Sequence, residues 1–162
     1  MKSSTIAFVA ILLIALVQPA YAGRVVHNST RISIEIPQEW ESEFKDDAIV
    51  MQDHKDEVEI VFMSVDDAVI KQVVKAVTAN LEKKIKKLKF GKPTETKING
   101  MLAIVMQGDG FLGNLNVDVA VVIVDAPPRD KDLLAIAIAE DAKLSKHKAN
   151  IQKVFDSLRP AN

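Results

Sequence analysis

Two stretches of this chain are apolar at nearly every position, Val119-Ala120-Val121-Val122-Ile123-Val124 and Leu133-Leu134-Ala135-Ile136-Ala137-Ile138-Ala139. Both are short, the first rich in Val and the second built of Leu, Ile and Ala, and apolar runs of this length read as strands. A strand with one wet face alternates apolar and polar residues; a strand that does not alternate is covered on both faces. The two runs therefore predict a sheet whose centre carries a layer above and a layer below.

Helices to supply those layers are visible. Ile70, Val74, Val77, Leu81, Ile85 and Leu88 recur at steps of three and four, which lays them on one helical face. Asp66-Asp67 stand at the start of this pattern, and Lys83, Lys84, Lys86, Lys87 and Lys89 crowd its end. Both placements suit the helix dipole. Gly91 and Pro93 predict the stop. A second helix, from about Lys143, has Ile151, Val154, Phe155 and Leu158 as its stripe, with Pro160 beyond it. Each helix has one apolar face, so each packs on the sheet.

The remaining strands come mostly as hairpins. Ile32, Ile34 and Ile36 alternate with Ser33 and Glu35 up to Pro37, which has no N–H for a ladder. Asp47–Gln52 and Glu57–Ser64 flank the polar turn Asp53-His54-Lys55-Asp56. Thr94–Ile98 and Met101–Gln107 flank Asn99-Gly100, the strongest short hairpin signal. Gly108–Asn114 then reads as a glycine-rich connection into Asn116–Asp125. The order is strands, helix, strands, helix. That predicts an α+β fold with a mainly antiparallel sheet of about six to seven strands and two packing helices.

The N-terminus reads as an address. Lys2, the apolar run Ile6–Val17, Pro19 and Ala20-Tyr21-Ala22 have the order of a secretory signal peptide, with cleavage expected after Ala22. The run is too short for a membrane-spanning helix, which needs about 20 apolar residues. The expected organisation is a signal peptide over 1–22 and one domain over 23–162, exported to the periplasm or secreted. The chain has no cysteine, which excludes thiol catalysis, disulfide exchange, Cys-ligated metal and N-terminal lipidation. A formal net charge of −1 argues against nucleic-acid binding. One Trp and one Tyr are too few for a platform of stacked rings.

Three segments carry a family likeness: Ile32-Ser33-Ile34-Glu35-Ile36-Pro37-Gln38-Glu39-Trp40, Ile98-Asn99-Gly100-Met101-Leu102-Ala103, and Ile151–Pro160 with its Ser157-Leu158-Arg159-Pro160 tail. Together with the element order they resemble the superfamily of Mog1, the photosystem II protein PsbP and the bacterial DcrB-like proteins. The resemblance spans most of residues 31–160 and implies an α/β/α sandwich. It also implies a non-enzymatic accessory or binding role, with no catalytic motif and no cofactor to carry over.

Candidate functional residues are few. His54 stands between Asp53 and Asp56 in a turn; it is a divalent-metal or acid–base candidate, or else one polar residue of a solvated turn. Gly108, Gly110 and Gly113 have the spacing of a phosphate loop, but a strand follows where a helix is required. They read instead as hairpin glycines at positive φ. Phe111 and Leu112 at that loop tip are candidate partner anchors, or fold back on the sheet. Lys83, Lys86 and Lys87 belong to a basic cluster suited to an acidic protein or, weakly, an anionic membrane. Trp40 reads as a core plug. The function expected is an exported, non-enzymatic accessory domain that binds another envelope protein through its surface. The alternative is a small-ligand or metal-binding protein using the His54 region or a sheet–helix cleft.

Overall fold

The computed structural model describes residues 23–128 and 130–161. The expected leader and its cleavage site lie outside the described residues. In chain order the elements are β1 (Gly23–His27), β2 (Ile32–Ile36), β3 (Trp40–Lys45), β4 (Ala48–Asp53), β5 (Val58–Asp66), a 3-10 turn (Asp67–Val69), α1 (Ile70–Lys84), β6 (Lys86–Phe90), β7 (Thr94–Ile98), β8 (Met101–Leu112), β9 (Leu115–Asp125), β10 (Lys131–Glu140), α2 (Asp141–Asp156) and β11 (Arg159–Pro160). An eight-stranded sheet runs β3-β4-β5-β10-β9-β8-β6, with β7 also on β8, and β1-β2-β11 form a small second sheet. Every pairing is antiparallel. The sheets thus hold more strands than the sequence suggests, because β1, β3, β6 and β11 lack a clear apolar alternation.

The non-alternating runs are β9 and β10, paired to each other and lying at the middle of the sheet. On one face Ile60, Phe62, Val122, Val124 and Ala135 meet Ile32, Ile34 and Ile36 of β2, Val154 of α2 and Leu158 just beyond that helix. Trp40 is 3% exposed in this core. Phe62 and Phe155 of α2 stack at 6.2 Å between ring centroids, tilted by 53°, an arrangement worth about 1 kcal/mol beyond burial. On the other face Val119, Val121, Leu134 and Ile136 meet Leu81 of α1 and Ile85. Both strands are covered twice, as their composition requires. Among the described residues, both cores draw on the chain between Val25 and Leu158.

Two expected elements are drawn differently. The helical spacing continues through Leu88, yet α1 stops at Lys84 and Lys86–Phe90 forms β6 on β8. As a strand this segment still turns Leu88 and Phe90 toward the same core, and β8 gains a ladder that a longer helix would leave unpaired. A bulge between Lys86 and Lys89, with Lys87 at φ 57°, adjusts the register. Gly91 and Pro93 follow β6 and not the helix. The glycine-rich connection is also strand: β8 continues to Leu112, and Gly113-Asn114 alone make the turn. Only Gly113 of its three glycines has positive φ, 63°.

The Asn99-Gly100 turn is present with φ of 47° and 85°, the conformation that pairs with strand twist. Asn99 Nδ2 also donates to the carbonyls of Asp156 at 2.7 Å and Leu158 at 2.8 Å. It ties the β7–β8 hairpin to the open end of α2, where carbonyls lack helical partners. Asn99→Ala removes both bonds and leaves alanine in the left-handed region. A loss of about 2 kcal/mol is expected, read as a lower urea midpoint; an unchanged midpoint would show that the tie contributes nothing.

Candidate functional site

Helix α1 rests lightly on the sheet. Of its 15 residues only Leu81 is buried, while Ile70, Val73 and Val77 are partly buried. Open space therefore remains on either side of its line of contact.

Under the C-terminal half lies a pocket of about 210 Å³, floored by Val61, Met63, Ile136 and Ile138 and walled by Val77, Leu81 and Leu112. Three polar residues line it: Glu59, Asn80 and Lys84. Glu59 is placed there by the sheet register, one row along from Val61 on the α1 face. Burial, with Asp56 adding repulsion, pushes its carboxyl up to about 7, and the ammonium of Lys84 opposes the shift.

Beside the N-terminal half runs a wider groove of about 840 Å³, lined by Ile70, Val74, Leu102, Ile104, Met106 and Ile123, with Asp67, Asp125, Asp132 and one cation, Lys71, among them. Asp125 and Asp132 face each other across β9 and β10. Asp132 is 8% exposed. Burial raises its carboxyl to about 6, and Asp67 and Asp125 add to the shift. Leu102 is 58% exposed, and Ile104 is also exposed.

The opposite face holds a different polar cluster. His147 Nε2 of α2 donates to Glu57 Oε2 at 2.7 Å and lies 3.7 Å from Asp53 Oδ2. Lys146 Nζ donates to the same Glu57 oxygen at 2.9 Å. Asp53 accepts from the backbone N–H groups of Lys55, Glu57 and Val58, so it caps the β4–β5 turn. The ligand atoms of Asp53, Glu57 and His147 lie within 4.8 Å of one another. They are already engaged by backbone donors and lysine, which makes the cluster a clasp between α2 and the hairpin. The bond from His147, with help from Lys146, holds the Glu57 carboxyl at about 2. Its folded value lies below the unfolded one, so its stabilisation is complete above about pH 4.5 and is lost as pH falls toward 2. Glu57→Gln should lower the urea midpoint at neutral pH, with the deficit shrinking across that window; a deficit that persists at about pH 2 would deny the charge a role.

A second node joins β1 to the β3–β4 turn. His27 Nε2 donates to the Asp47 carbonyl at 2.7 Å, and Thr30 Oγ1 lies 3.1 Å from its Nδ1. The Asp47 carboxylate accepts from the hydroxyls of Ser29 and Ser64. Burial works to raise the Asp47 carboxyl, but those hydroxyls and His27 prevail and hold it below the usual range. The imidazole contacts the backbone of Asp47 and activates neither serine, so this is a tie and not a nucleophile relay.

The candidate residues of the sequence are dispersed over the fold. His54 is exposed and meets Glu41 at 3.0 Å. Asp53 points instead to the His147 cluster, and Asp56 sits at φ 55° in the turn and acts on Glu59. Phe111 and Leu112 are strand residues on opposite faces: Phe111 is 40% exposed with Lys87 Nζ 5.7 Å above its ring, and Leu112 lines the α1 pocket. Lys83 lies on α1, Lys86 and Lys87 on β6. Sequence reasoning misses Glu59, Asp125 and Asp132. Asp132 does carry a partial signal, as a charge at the head of a run otherwise apolar.

No family model and no curated sequence matches the chain. Solved structures do. Cyanobacterial PsbP (CyanoP) from Synechocystis sp. PCC 6803 superposes with a TM-score of 0.60 at 9% identity, over 93% of this chain and 98% of its own. LpqN, involved in cell envelope biogenesis of Mycobacterium tuberculosis, gives 0.59 at 15% identity, over 90% and 92%. The Ran-binding protein Mog1p of Saccharomyces cerevisiae gives 0.53 at 10% identity, over 91% and 97%. At these identities the likeness is one of architecture: the chain adopts the Mog1/PsbP-like α+β fold.

Proposed function

We propose that this protein is an exported, non-enzymatic accessory domain of the cell envelope that binds another envelope protein through the groove beside the N-terminal half of α1. The basic, apolar, small-residue order of residues 1–22 supports export. The fold is shared with LpqN, which takes part in cell envelope biogenesis, and with the Ran-binding Mog1p, which fits an accessory or binding role. The observation that carries the reading is Asp132, almost wholly buried in an apolar groove between two further carboxylates. A buried carboxylate beside two others is costly, and the groove's own cation, Lys71, is not among the groups that act on Asp132. A partner segment with one basic side chain and an apolar flank removes that cost and covers Leu102 and Ile104. Phe111 with Lys87, Lys83 and Lys86 offers a further surface at the other end of the molecule.

A photo-crosslinking residue at Leu102 tests this in the envelope. One discrete adduct is expected, lost when Asp125 and Asp132 are both changed to Asn and absent with the crosslinker at exposed Lys148 on α2. No discrete adduct, or one indifferent to the Asn changes, overturns the reading.

A further inference from the structure

We propose that the pocket under the C-terminal half of α1 is a separate binding site for a free single-chain carboxylate, its tail inside and its head at Lys84. The tail follows from the lining. Val61, Met63, Val77, Leu112, Ile136 and Ile138 offer an apolar surface, and an apolar pocket with a few convergent polar groups is the usual form of a ligand site. Its size selects one chain. About 210 Å³ is below the roughly 300 Å³ at which most ligand pockets begin, which suits one short acyl tail better than two.

The head follows from the charges. Asn80 and Lys84 are four apart on α1 and so stand on one face of it. Lys84 brings an ammonium and Asn80 an amide donor. Glu59 faces them from β5, and its neutral form is favoured up to about pH 7, so it too presents a donor. Three donors and one positive charge receive a carboxylate; an alkylammonium head meets repulsion instead. The groups acting on Glu59 are Asp56 of its own hairpin and Lys84 of α1. Its cross-strand neighbours on the same face are Gln52 of β4 and Ile138 of β10, neither charged, and Glu41 beyond Gln52 is engaged by His54. Above about pH 7, ionised Glu59 opposes the bound head and offsets Lys84.

Isothermal titration of the protein, purified as the cell exports it, with decanoate and with decylammonium tests the proposal. Decanoate is expected to bind at about pH 6 and to weaken by about tenfold toward pH 8, while it stays ionised throughout. Decylammonium should bind at least about tenfold more weakly, the equivalent of one charge-assisted bond. Lys84→Glu, a change on an exposed position, should cost a similar factor. Glu59→Gln should keep binding and lose the pH dependence. No binding of decanoate, equal affinity for decylammonium, an unaffected Lys84→Glu, or an unchanged pH profile in Glu59→Gln each overturns it.

Discussion

Glu59→Gln is expected to stabilise this protein by about 2–3 kcal/mol at about pH 8 and to leave it unchanged at about pH 4. The Glu59 carboxyl rises from 4.5 to about 7 chiefly through burial, then through Asp56. The fold therefore favours the protonated form. Below about pH 4.5 both folded and unfolded chains hold the proton, and the side chain has no titration cost. Between there and about pH 7 the unfolded chain has released the proton and the folded chain has not, so stability falls as pH rises. Above that range the deficit is constant, because each tenfold difference in proton affinity between the two states is worth about 1.4 kcal/mol. Glutamine keeps the shape and the polar donor while removing the charge. Urea midpoints of the two proteins at both pH values decide it; an equal difference at both would show that packing, and not ionisation, sets the effect. Asp132 in the other cleft is raised by the same kind of burial, so Asp132→Asn should move stability in the same direction. Carboxyls raised by burial inside a cleft are candidate functional groups, and both stand beside the same helix.

The architecture is readable from the chain because its strongest signals are local. The doubly apolar β9 and β10 demand cover on both faces, and the stripes on α1 and α2 supply it. The turns at Asp53–Asp56 and Asn99-Gly100 announce two hairpins. What cannot be read is decided by distant partners. Leu88 fits both a helical stripe with Ile85 and, with Phe90, the inward face of a strand; the choice is made by β8, whose edge accepts β6. His147 reaches Glu57 across ninety residues, whereas His54, beside Asp53 in sequence, turns away to Glu41. The clefts escape for a related reason. They are gaps where a helix stands off a sheet, and no residue type marks a gap. Glu59 looks like the polar half of an alternating strand. Only the placement of α1 above that face turns it into a buried carboxyl.

The same dependence on distant contact explains the glycines of β8 and yields a second large effect. A Cβ at Gly108 would lie 2.5 Å from the carbonyl oxygen of Lys89 and 3.0 Å from Cδ1 of Phe90. At Gly110 it would lie 2.6 Å from Cγ2 of Ile85 and 3.0 Å from Cα of Leu88. Backbone cannot yield as a side-chain tip does, so these glycines are what let β6 lie against β8. Gly108→Ala should therefore improve strand propensity in β8 and still destabilise the protein by about 3 kcal/mol, because β6 must move off. Gly91→Ala is the control. Its Cβ would stand 3.5 Å from the carbonyl oxygen of Gln107, an ordinary contact, and its effect should stay within about 0.5 kcal/mol. Hydrogen exchange distinguishes local from global loss: in Gly108→Ala the amides of Lys86–Phe90 should exchange fast while β9 and β10 stay protected. Because Ile85 and Leu112 line the α1 pocket, the same variant should also lose decanoate binding. A Gly108→Ala protein as stable as Gly91→Ala, with β6 amides still protected, would mean that β6 tolerates the displacement and that the glycines do not set its position.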